Sequence, residues 1–304
     1  MLNVKRLLCG LAAAVSVAAT APAAAALNVL ACEPEWGALA KELGADRVNI
    51  YNATSAMQDV HHIQARPSLI AAARRADLVV CTGAELEAGW LPLLTRESGN
   101  AKIQPGGLAY FEAAKFVTLI DVPARLDRGD GDVHAQGNPH LQTDPRNMAL
   151  VAAALAGRLA ELDPAGAAIY RERAEAFATR WKAAIVRWEA RAAPLRGVRV
   201  VEHHRAFSYL FRWLGIEVVG YLEPKPGVEP STGHMAQLLE TQRARPAKAV
   251  VRTSYNDPRA SEWFAERAKR PAVMLPFSVG GSEAARDLTG WFDDIVERLL
   301  KAAL

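Results

Sequence analysis

The feature that most constrains the fold is a regular alternation of short apolar runs with amphipathic segments. In the first half of the chain, the runs LNVLAC, RVNIYN and DLVVCTG are each followed by a segment with helical spacing of its apolar residues. Buried parallel strands read as short apolar runs, and the helices that connect them cover both faces of the sheet. The runs VRVVEHH, IEVVGYL, AKAVVRT and AVMLPFS repeat the pattern in the second half. The sequence therefore predicts an α/β fold with two lobes, each with a parallel sheet flanked by helices.

Two helices with clear start signals lie between these halves. Asp144-Pro145 and Asp163-Pro164 each place a capping carboxylate before a proline at the first helical position. The second helix carries an apolar stripe at spacings of three and four residues until Pro194 ends it, namely Tyr170, Ala174, Phe177, Trp181, Ile185 and Trp188. We therefore expect an N-terminal α/β lobe over residues 27–162, a single long connecting helix over 163–192, and a C-terminal α/β lobe over 193–304.

The first 26 residues have the composition of a secretory signal peptide. Lys5 and Arg6 precede an apolar run, and small residues continue to Ala26, where we expect cleavage. Cys9 lies before the apolar run, whereas a lipid-anchor cysteine would follow it. No later segment has the ~20 apolar residues that a spanning helix needs. The sequence predicts an exported, periplasmic, monomeric protein with no membrane span in the mature chain.

The charge balance argues against one class of partner. Loss of Lys5 and Arg6 reduces the 36 basic residues to 34, against 33 acidic residues. Proteins that bind nucleic acid carry a basic excess to neutralise phosphates, and this chain has none. Nucleic acid is therefore not an expected partner.

Two cysteines remain after the predicted cleavage. Cys32 and Cys81 each end a predicted strand. In an oxidising compartment, cysteines at the ends of neighbouring strands suggest a disulfide, and two buried thiols are the alternative. No CxxC spacing indicates a redox or zinc-thiolate site.

Imidazoles are concentrated in loops that follow predicted strands. The chain has seven histidines, and four of them form the doublets His61-His62 and His203-His204. Adjacent side chains of extended backbone point to opposite faces, so each doublet can direct one imidazole to a given point. With His140, one imidazole from each of three loops could converge at the carboxyl ends of the strands, where α/β sheets bind ligands. Three neutral imidazoles there would suit Zn²⁺, whereas an isolated loop histidine is usually a surface residue.

Four motifs between about Leu27 and the C-terminus resemble those of the ZnuA/TroA-like family, the solute-binding proteins of zinc and manganese ABC importers. DVHHIQARPS is similar to the family's D-P-H-x-Y-E-P-x-P-S loop and selects His61. GNPHLQTDPRN is similar to D/N-P-H-x-W-x-D-P-x-N and selects His140, and HRAFSYLFRWLG is similar to H-x-A-F-x-Y and selects His204. ARDLTGWFDDIVERL resembles G-D-x-Y-x-x-M-x-x-N-L and offers Asp287.

The resemblance implies a protein, not an enzyme, that captures one Zn²⁺ in the cleft between two lobes and delivers it to an inner-membrane ABC permease with its ATPase. The implied metal ligands are His61, His140, His204 and Asp287. Manganese members of the family place a carboxylate where His204 stands, and three imidazoles with one carboxylate favour zinc over manganese. Manganese or another divalent metal is the alternative cargo.

Several framing positions depart from the family motifs. Val60 replaces a proline, Ile63 a tyrosine, Gln142 a tryptophan and Arg286 a glycine. Because the ligand positions are kept while their surroundings vary, the chain resembles a divergent branch of the zinc type.

Two further functions are weighed against metal delivery. Glu202, on the same face as His204, is the obvious general base for a zinc-dependent hydrolase. A closed site with four protein ligands leaves no open position for water and argues against that function. An adhesin or scaffold with incidental metal is the other alternative.

Two histidines lie outside the predicted ligand set. His134, with Asp127, Asp130 and Asp132, could belong to a remnant metal-capturing loop, although a solvated acidic loop is the simpler interpretation. His234 follows Ser231 and Thr232, either of which could cap a helix there, and we interpret it as a surface residue.

Overall fold

The structure is a computed structural model that describes residues 25–125, 129 and 131–303. The predicted signal peptide lies outside the described residues apart from its last two positions, and so do Asp127 and Asp130. The described residues form these strands: β1 (Leu27–Ala31), β2 (Val48–Asn52), β3 (Leu78–Cys81), β4 (Tyr110–Glu112), β5 (Arg199–Glu202), β6 (Glu217–Tyr221), β7 (Ala249–Thr253) and β8 (Ala272–Leu275). They form these helices: α1 (Pro34–Gly44), α2 (Pro67–Arg75), α3 (Leu91–Ser98), α4 (Pro145–Leu162), α5 (Ala167–Ala192), α6 (Ser208–Leu214), α7 (Thr232–Thr241), α8 (Pro258–Ala268) and α9 (Leu288–Ala303).

The strands build two four-stranded sheets with the same topology. Their orders are β2-β1-β3-β4 and β6-β5-β7-β8, and every neighbouring pair is parallel. Strand β3 is buried at all positions because helices cover both faces of a parallel sheet. The edge strand β2 is buried only at Val48. The structure thus confirms the predicted α/β fold with two parallel sheets, and adds the three-residue strand β4, which the sequence pattern did not indicate.

A disulfide joins the two strands at the centre of the first sheet. Strands β1 and β3 pair directly, and Cys32 and Cys81 follow at their carboxyl ends. The two Cα atoms lie 4.8 Å apart, and both side chains are fully buried. The expectation of a disulfide rather than two buried thiols is confirmed.

The long helix α5 has 26 residues, which corresponds to a length of about 39 Å. It begins at Ala167, after a 3-10 turn over Pro164–Gly166, and so starts later than the Asp163-Pro164 signal predicted. The reason is that the Asp163 carboxylate is engaged elsewhere. It accepts hydrogen bonds from Nε and Nη2 of Arg47 at 2.7 and 2.9 Å and from the Tyr170 hydroxyl at 2.7 Å. Helix α4, in contrast, is capped by Asp144 as expected, through a bond from the Arg146 amide.

The apolar stripe of α5 packs against elements from both halves of the chain. Helix α5 contacts α1 on one side and α9 on the other. The indole N–H of Trp181 donates to the Pro145 carbonyl, and that of Trp188 donates to Asp293 of α9, each at 2.7 Å. A long helix with buried tryptophans therefore forms a stiff connection between the sheets.

Direct contacts also join the two halves at the carboxyl ends of the strands. The Tyr209 hydroxyl donates to the Asn138 carbonyl at 2.7 Å, and the Ser254 hydroxyl donates to the Ala56 carbonyl at 2.5 Å. The Ser278 hydroxyl donates to Glu35 at 2.5 Å.

Throughout the part of the chain that the structure describes, none of the helices is both long and apolar enough to cross a bilayer.

Candidate metal centre

Three predicted histidines reach one point from three different loops. His61 lies in a 3-10 turn over Val60–His62, after β2, and His140 directly precedes another 3-10 turn. His204 follows β5 in the second sheet. Each loop leaves the sheets near the carboxyl ends of the strands, where parallel sheets place their ligand sites. Two of the predicted ligands thus come from the first half of the chain and one from the second.

Local contacts fix the His61 turn. The Asp59 carboxylate accepts a hydrogen bond from the His61 amide at 3.0 Å and caps the turn. The buried indole of Trp90 donates to the Val60 carbonyl at 2.9 Å. A Cβ atom at Gly89 would lie 3.0 Å from the His61 carbonyl oxygen, closer than most Cβ contacts, so a larger residue there would press against the turn.

The three imidazoles are close enough to share one ion. One ring nitrogen from each of His61, His140 and His204 lies within 4.8 Å of the others. Their ring centroids are 5.4 to 5.7 Å apart. His140 and His204 are buried, at 2% and 7% exposure, and Phe277 packs edge-on against His140 at 5.3 Å. We refer to His61, His140 and His204 as the three-histidine group.

Two carboxylates orient this group. Nδ1 of His61 lies 2.7 Å from Asp59 Oδ1, and Nδ1 of His204 lies 2.7 Å from Glu223 Oε2. A carboxylate at Nδ1 accepts a hydrogen bond from the N–H there, which keeps the ring proton on Nδ1 and leaves the Nε2 lone pair free for a metal. In agreement, the buried Nε2 of His61 has no hydrogen-bond partner. The Nδ1 atom of His140 has none either.

The electrostatics of the site favour neutral imidazoles as ligands. Burial lowers the pKa of His140 well below its usual value, and the neighbouring His61 and His204 lower it further. Burial by itself would raise the pKa of Asp59, but the hydrogen bonds from His61 outweigh it, so that pKa is lowered. An ionised carboxylate behind a neutral imidazole is the arrangement that supports a bound cation.

The second member of each doublet points away from the group. The His62 side chain is 66% exposed, and its Nε2 lies 3.8 Å from Oδ2 of Asp132. His203 is buried, but it lines a separate cleft beside Glu223 and Asp257. The structure thus brings one imidazole of each doublet, His61 and His204, into the three-histidine group, and their role as ligands stays a prediction.

Asp287 does not lie with the three-histidine group. Its side chain is exposed, and Oδ1 accepts a hydrogen bond from the Gly290 amide at 2.8 Å, at the start of α9. Helix capping, the rival role for this residue, is the one that the structure displays. Among the described residues, no histidine, cysteine or carboxylate joins the three imidazoles within the 4.8 Å separation.

A fourth imidazole, that of His134, lies against the group. Its ring centroid is 5.4 Å from that of His61, and it lines a cleft of about 70 Å³ together with His140 and His204. Burial, followed by the neighbouring His61 and His204, lowers the pKa of His134 to about 4. The sequence favoured a solvated loop here, and the structure instead places this imidazole, partly buried, against the three-histidine group.

Glu202 is held beneath the site. It is 1% exposed, and Oε1 accepts a hydrogen bond from the Phe207 amide at 2.7 Å. Burial raises its pKa to about 8, so the carboxyl is largely protonated at neutral pH. The carboxyl is buried and bonded to the Phe207 amide, which counts against Glu202 as a general base for a metal-bound water.

Neither of the two carboxylates that orient the imidazoles was predicted from the sequence. Asp59 was within reach of sequence reasoning, because it stands two residues before His61 in the quoted motif and aspartates often cap turns. Glu223 offered no such signal. It follows β6, nineteen residues after His204, and only the pairing of β5 with β6 brings the two together.

Comparison with known proteins identifies the family. Residues 29–302 match the family described as ZnuA, zinc-uptake complex component A, periplasmic. The metal ABC transporter substrate-binding lipoprotein ScbA of Streptococcus cristatus is 22% identical over 279 residues, covering 91% of this chain and 88% of that protein. The high-affinity zinc uptake system protein ZnuA of Paracoccus denitrificans is 24% identical over 310 residues, covering 90% of this chain and 91% of that protein. The manganese ABC transporter substrate-binding lipoprotein scaA of Streptococcus gordonii is 26% identical over 151 residues, covering 50% of this chain and 46% of that protein.

Solved structures share the fold. A crystal structure of ZnuA superposes with a TM-score of 0.77 at 21% identity, covering 92% of this chain and all of that one. A cadmium-bound periplasmic metal binding protein from Candidatus Liberibacter asiaticus gives a TM-score of 0.74 at 17% identity, covering 91% of this chain and all of that one. Since the family match extends over nearly the whole chain, the protein belongs to the ZnuA family of periplasmic zinc-uptake components.

Proposed function

We propose that the protein is exported to the periplasm, captures one Zn²⁺ between its two halves, and delivers it to the permease and ATPase of an ABC importer. The observation that carries the proposal is the three-histidine group, in which three imidazole nitrogens lie within 4.8 Å of one another. Membership of the ZnuA family supports the link to an importer.

The donor set favours zinc over manganese as the cargo. Imidazole is a borderline ligand that suits Zn²⁺, whereas Mn²⁺ prefers sites rich in carboxylate and carbonyl oxygen. The relatives include proteins named for zinc and for manganese. The choice therefore depends on the ligands of this chain, and three imidazoles make zinc the better fit.

The test is metal analysis of the mature protein purified from the periplasm, followed by titration with Zn²⁺ and Mn²⁺ against a competing chelator. We expect one tightly bound zinc per chain and an affinity for Mn²⁺ lower by at least about tenfold. Equal affinities, or a preference for Mn²⁺, would contradict the zinc assignment while leaving the role in metal delivery intact. Sequencing the purified amino terminus tests the expected cleavage near Ala26.

We further propose that a fourth protein side chain completes the coordination of the zinc. Asp287 is the candidate from the family motif, and its use would require it to leave its cap on Gly290. His134 is the candidate from proximity, because its ring lies 5.4 Å from that of His61. Either would give the four-coordinate site that zinc prefers when it is bound rather than used in catalysis.

A further inference from the structure

The side of the loops opposite the three-histidine group carries a second cleft. Its volume is about 550 Å³, and its lining includes Asp59, His62, His203, Glu223 and Asp257. It thus contains the members of both histidine doublets that the proposed zinc site does not use. The same two carboxylates that orient His61 and His204 form part of its wall.

His203 is the unexplained group in this cleft. The residue is 4% exposed, and Nδ1 has no hydrogen-bond partner. Nε2 lies 3.9 Å from Oε1 of Glu223, which is beyond hydrogen-bond distance. Neither ring nitrogen of this buried imidazole makes a hydrogen bond, which is unfavourable for a buried polar group. A ligand bound at Nε2, the nitrogen that faces Glu223, would supply the ring with a partner.

Glu223 has one oxygen available for such a ligand. Oε2 accepts hydrogen bonds from Nδ1 of His204 at 2.7 Å and from the Gly227 amide at 2.9 Å. Oε1 is the atom that faces His203. Two ligand atoms bound to one tetrahedral metal at about 2.0–2.1 Å are about 3.4 Å apart. The observed 3.9 Å needs only a small movement of either side chain.

The charge of the cleft is suited to a cation. Four carboxylates line it, from Asp59, Glu223, Glu229 and Asp257, against the single guanidinium of Arg259. That guanidinium is paired with Asp257 at 2.6 Å. Three acidic groups therefore remain without a cationic partner in the lining, and the local potential attracts divalent cations.

We propose that this cleft binds a second divalent metal ion, through Nε2 of His203 and Oε1 of Glu223, with water completing the coordination. The site shares Glu223 with the three-histidine group but does not depend on which metal that group holds. With two protein ligands rather than three or four, it binds more weakly. It would hold an ion beside the main site on the open side of the same loops.

The test is a titration of the mature chain with Zn²⁺, read by calorimetry, in parallel with ¹¹³Cd NMR of the same protein loaded with Cd²⁺. The unmodified protein should bind two equivalents, one tight and one at least tenfold weaker, and should show two cadmium resonances. One equivalent and one resonance at metal concentrations well above saturation of the first site would overturn the proposal without any variant.

Variants separate the two sites. His203→Ala should lose the weaker equivalent and its resonance while keeping the tight one within about threefold, and His140→Ala should do the reverse. His234→Ala is the matched control, because His234 is on neighbouring α7, is not part of the cleft lining, and has its Nε2 2.9 Å from the Tyr221 carbonyl. A second equivalent that survives in His203→Ala would refute the second site alone. Tight binding that survives in His140→Ala would refute the proposed zinc site instead.

Discussion

In each histidine doublet, one imidazole belongs to the three-histidine group and the other lies outside it. The nitrogen that faces the group is set by a carboxylate behind the ring, Asp59 for His61 and Glu223 for His204. This pairing defines which lone pair is presented to the metal. Affinity should therefore depend on the imidazole and on the carboxylate behind it.

Replacing any member of the three-histidine group by alanine should weaken zinc binding far more than replacing His62. Loss of a carboxylate behind a ligating histidine typically costs 10–100-fold in metal affinity. We expect at least that loss for His61→Ala, His140→Ala and His204→Ala, and less than about threefold for His62→Ala, which is largely exposed. Competition with a chelator measures these affinities. Equal losses of zinc affinity for His61→Ala and His62→Ala would contradict the assignment of His61 as the ligand from its doublet.

Two substitutions, Asp287→Asn and His134→Ala, test which side chain is the fourth ligand. Asp287→Asn keeps an oxygen that can accept the Gly290 amide bond, so it should leave the thermal stability nearly unchanged. If Asp287 leaves its cap to bind zinc, the affinity should fall at least about tenfold in this variant and stay unchanged in His134→Ala. The opposite result assigns the position to His134. Unchanged affinity in both variants would exclude both and leave water as the fourth ligand.

At the level of secondary-structure elements, the ends of β1 and β3 bury three glutamates. Glu33 and Glu35 lie at the start of α1, and Glu87 follows β3; all three are at most 3% exposed. Glu87 accepts hydrogen bonds from the amides of Thr82 and Gly83, and Glu33 accepts one from the Thr82 hydroxyl. Burial raises the pKa of Glu35 and of Glu87 to about 7 and that of Glu33 well above its usual value.

These raised pKa values predict that the three glutamates make a contribution to stability that is lost as the pH rises from about 4.5 to about 7. In that range the folded state keeps protons that the unfolded chain has lost, so raising the pH favours unfolding. Glu35→Gln keeps the contact with Ser278 but cannot ionise. It should be more stable than the unmodified protein by about 1–3 kcal/mol at pH 8, and by much less at pH 4.5.

Denaturant unfolding at the two pH values measures this difference. Glu97→Gln is the control, because Glu97 is exposed on α3 and its charge should matter little. A stability difference for Glu35→Gln that is the same at both pH values would contradict the proposed ionisation.

The sequence predicted elements best where the pattern was periodic and long. The runs ending in Cys32 and Cys81 gave strands β1 and β3, and the stripe through Trp181 and Trp188 gave α5. Strand β4 was missed because three residues carry no periodicity. The start of α5 was misplaced because Asp163 pairs with Arg47, 116 residues away, and a capping signal does not reveal such a partner. The same limit explains why Glu223 was missed at the site.

For the whole molecule, the effect of a bound metal on stability depends on which half of the chain each proposed ligand comes from. His61 and His140 belong to the first half, and His204 follows a strand of the second sheet. A metal held by all three crosslinks the two halves beside the hydrogen bonds from Tyr209 to Asn138 and from Ser254 to Ala56. Zinc should therefore stabilise the complete fold, and not only the loop that it touches.

The prediction at this scale is a large rise in the unfolding temperature when zinc is added. An ion at a thousand times its dissociation constant stabilises the folded state by about 4 kcal/mol, which corresponds to roughly 8–16 °C for a chain of this order of size. Differential scanning calorimetry with and without Zn²⁺ measures the shift. His204→Ala removes the member of the three-histidine group that comes from the second half and should abolish most of the shift, whereas His234→Ala should retain it. A full shift in His204→Ala would mean that zinc does not need His204, and the proposed three-histidine site would have to be abandoned.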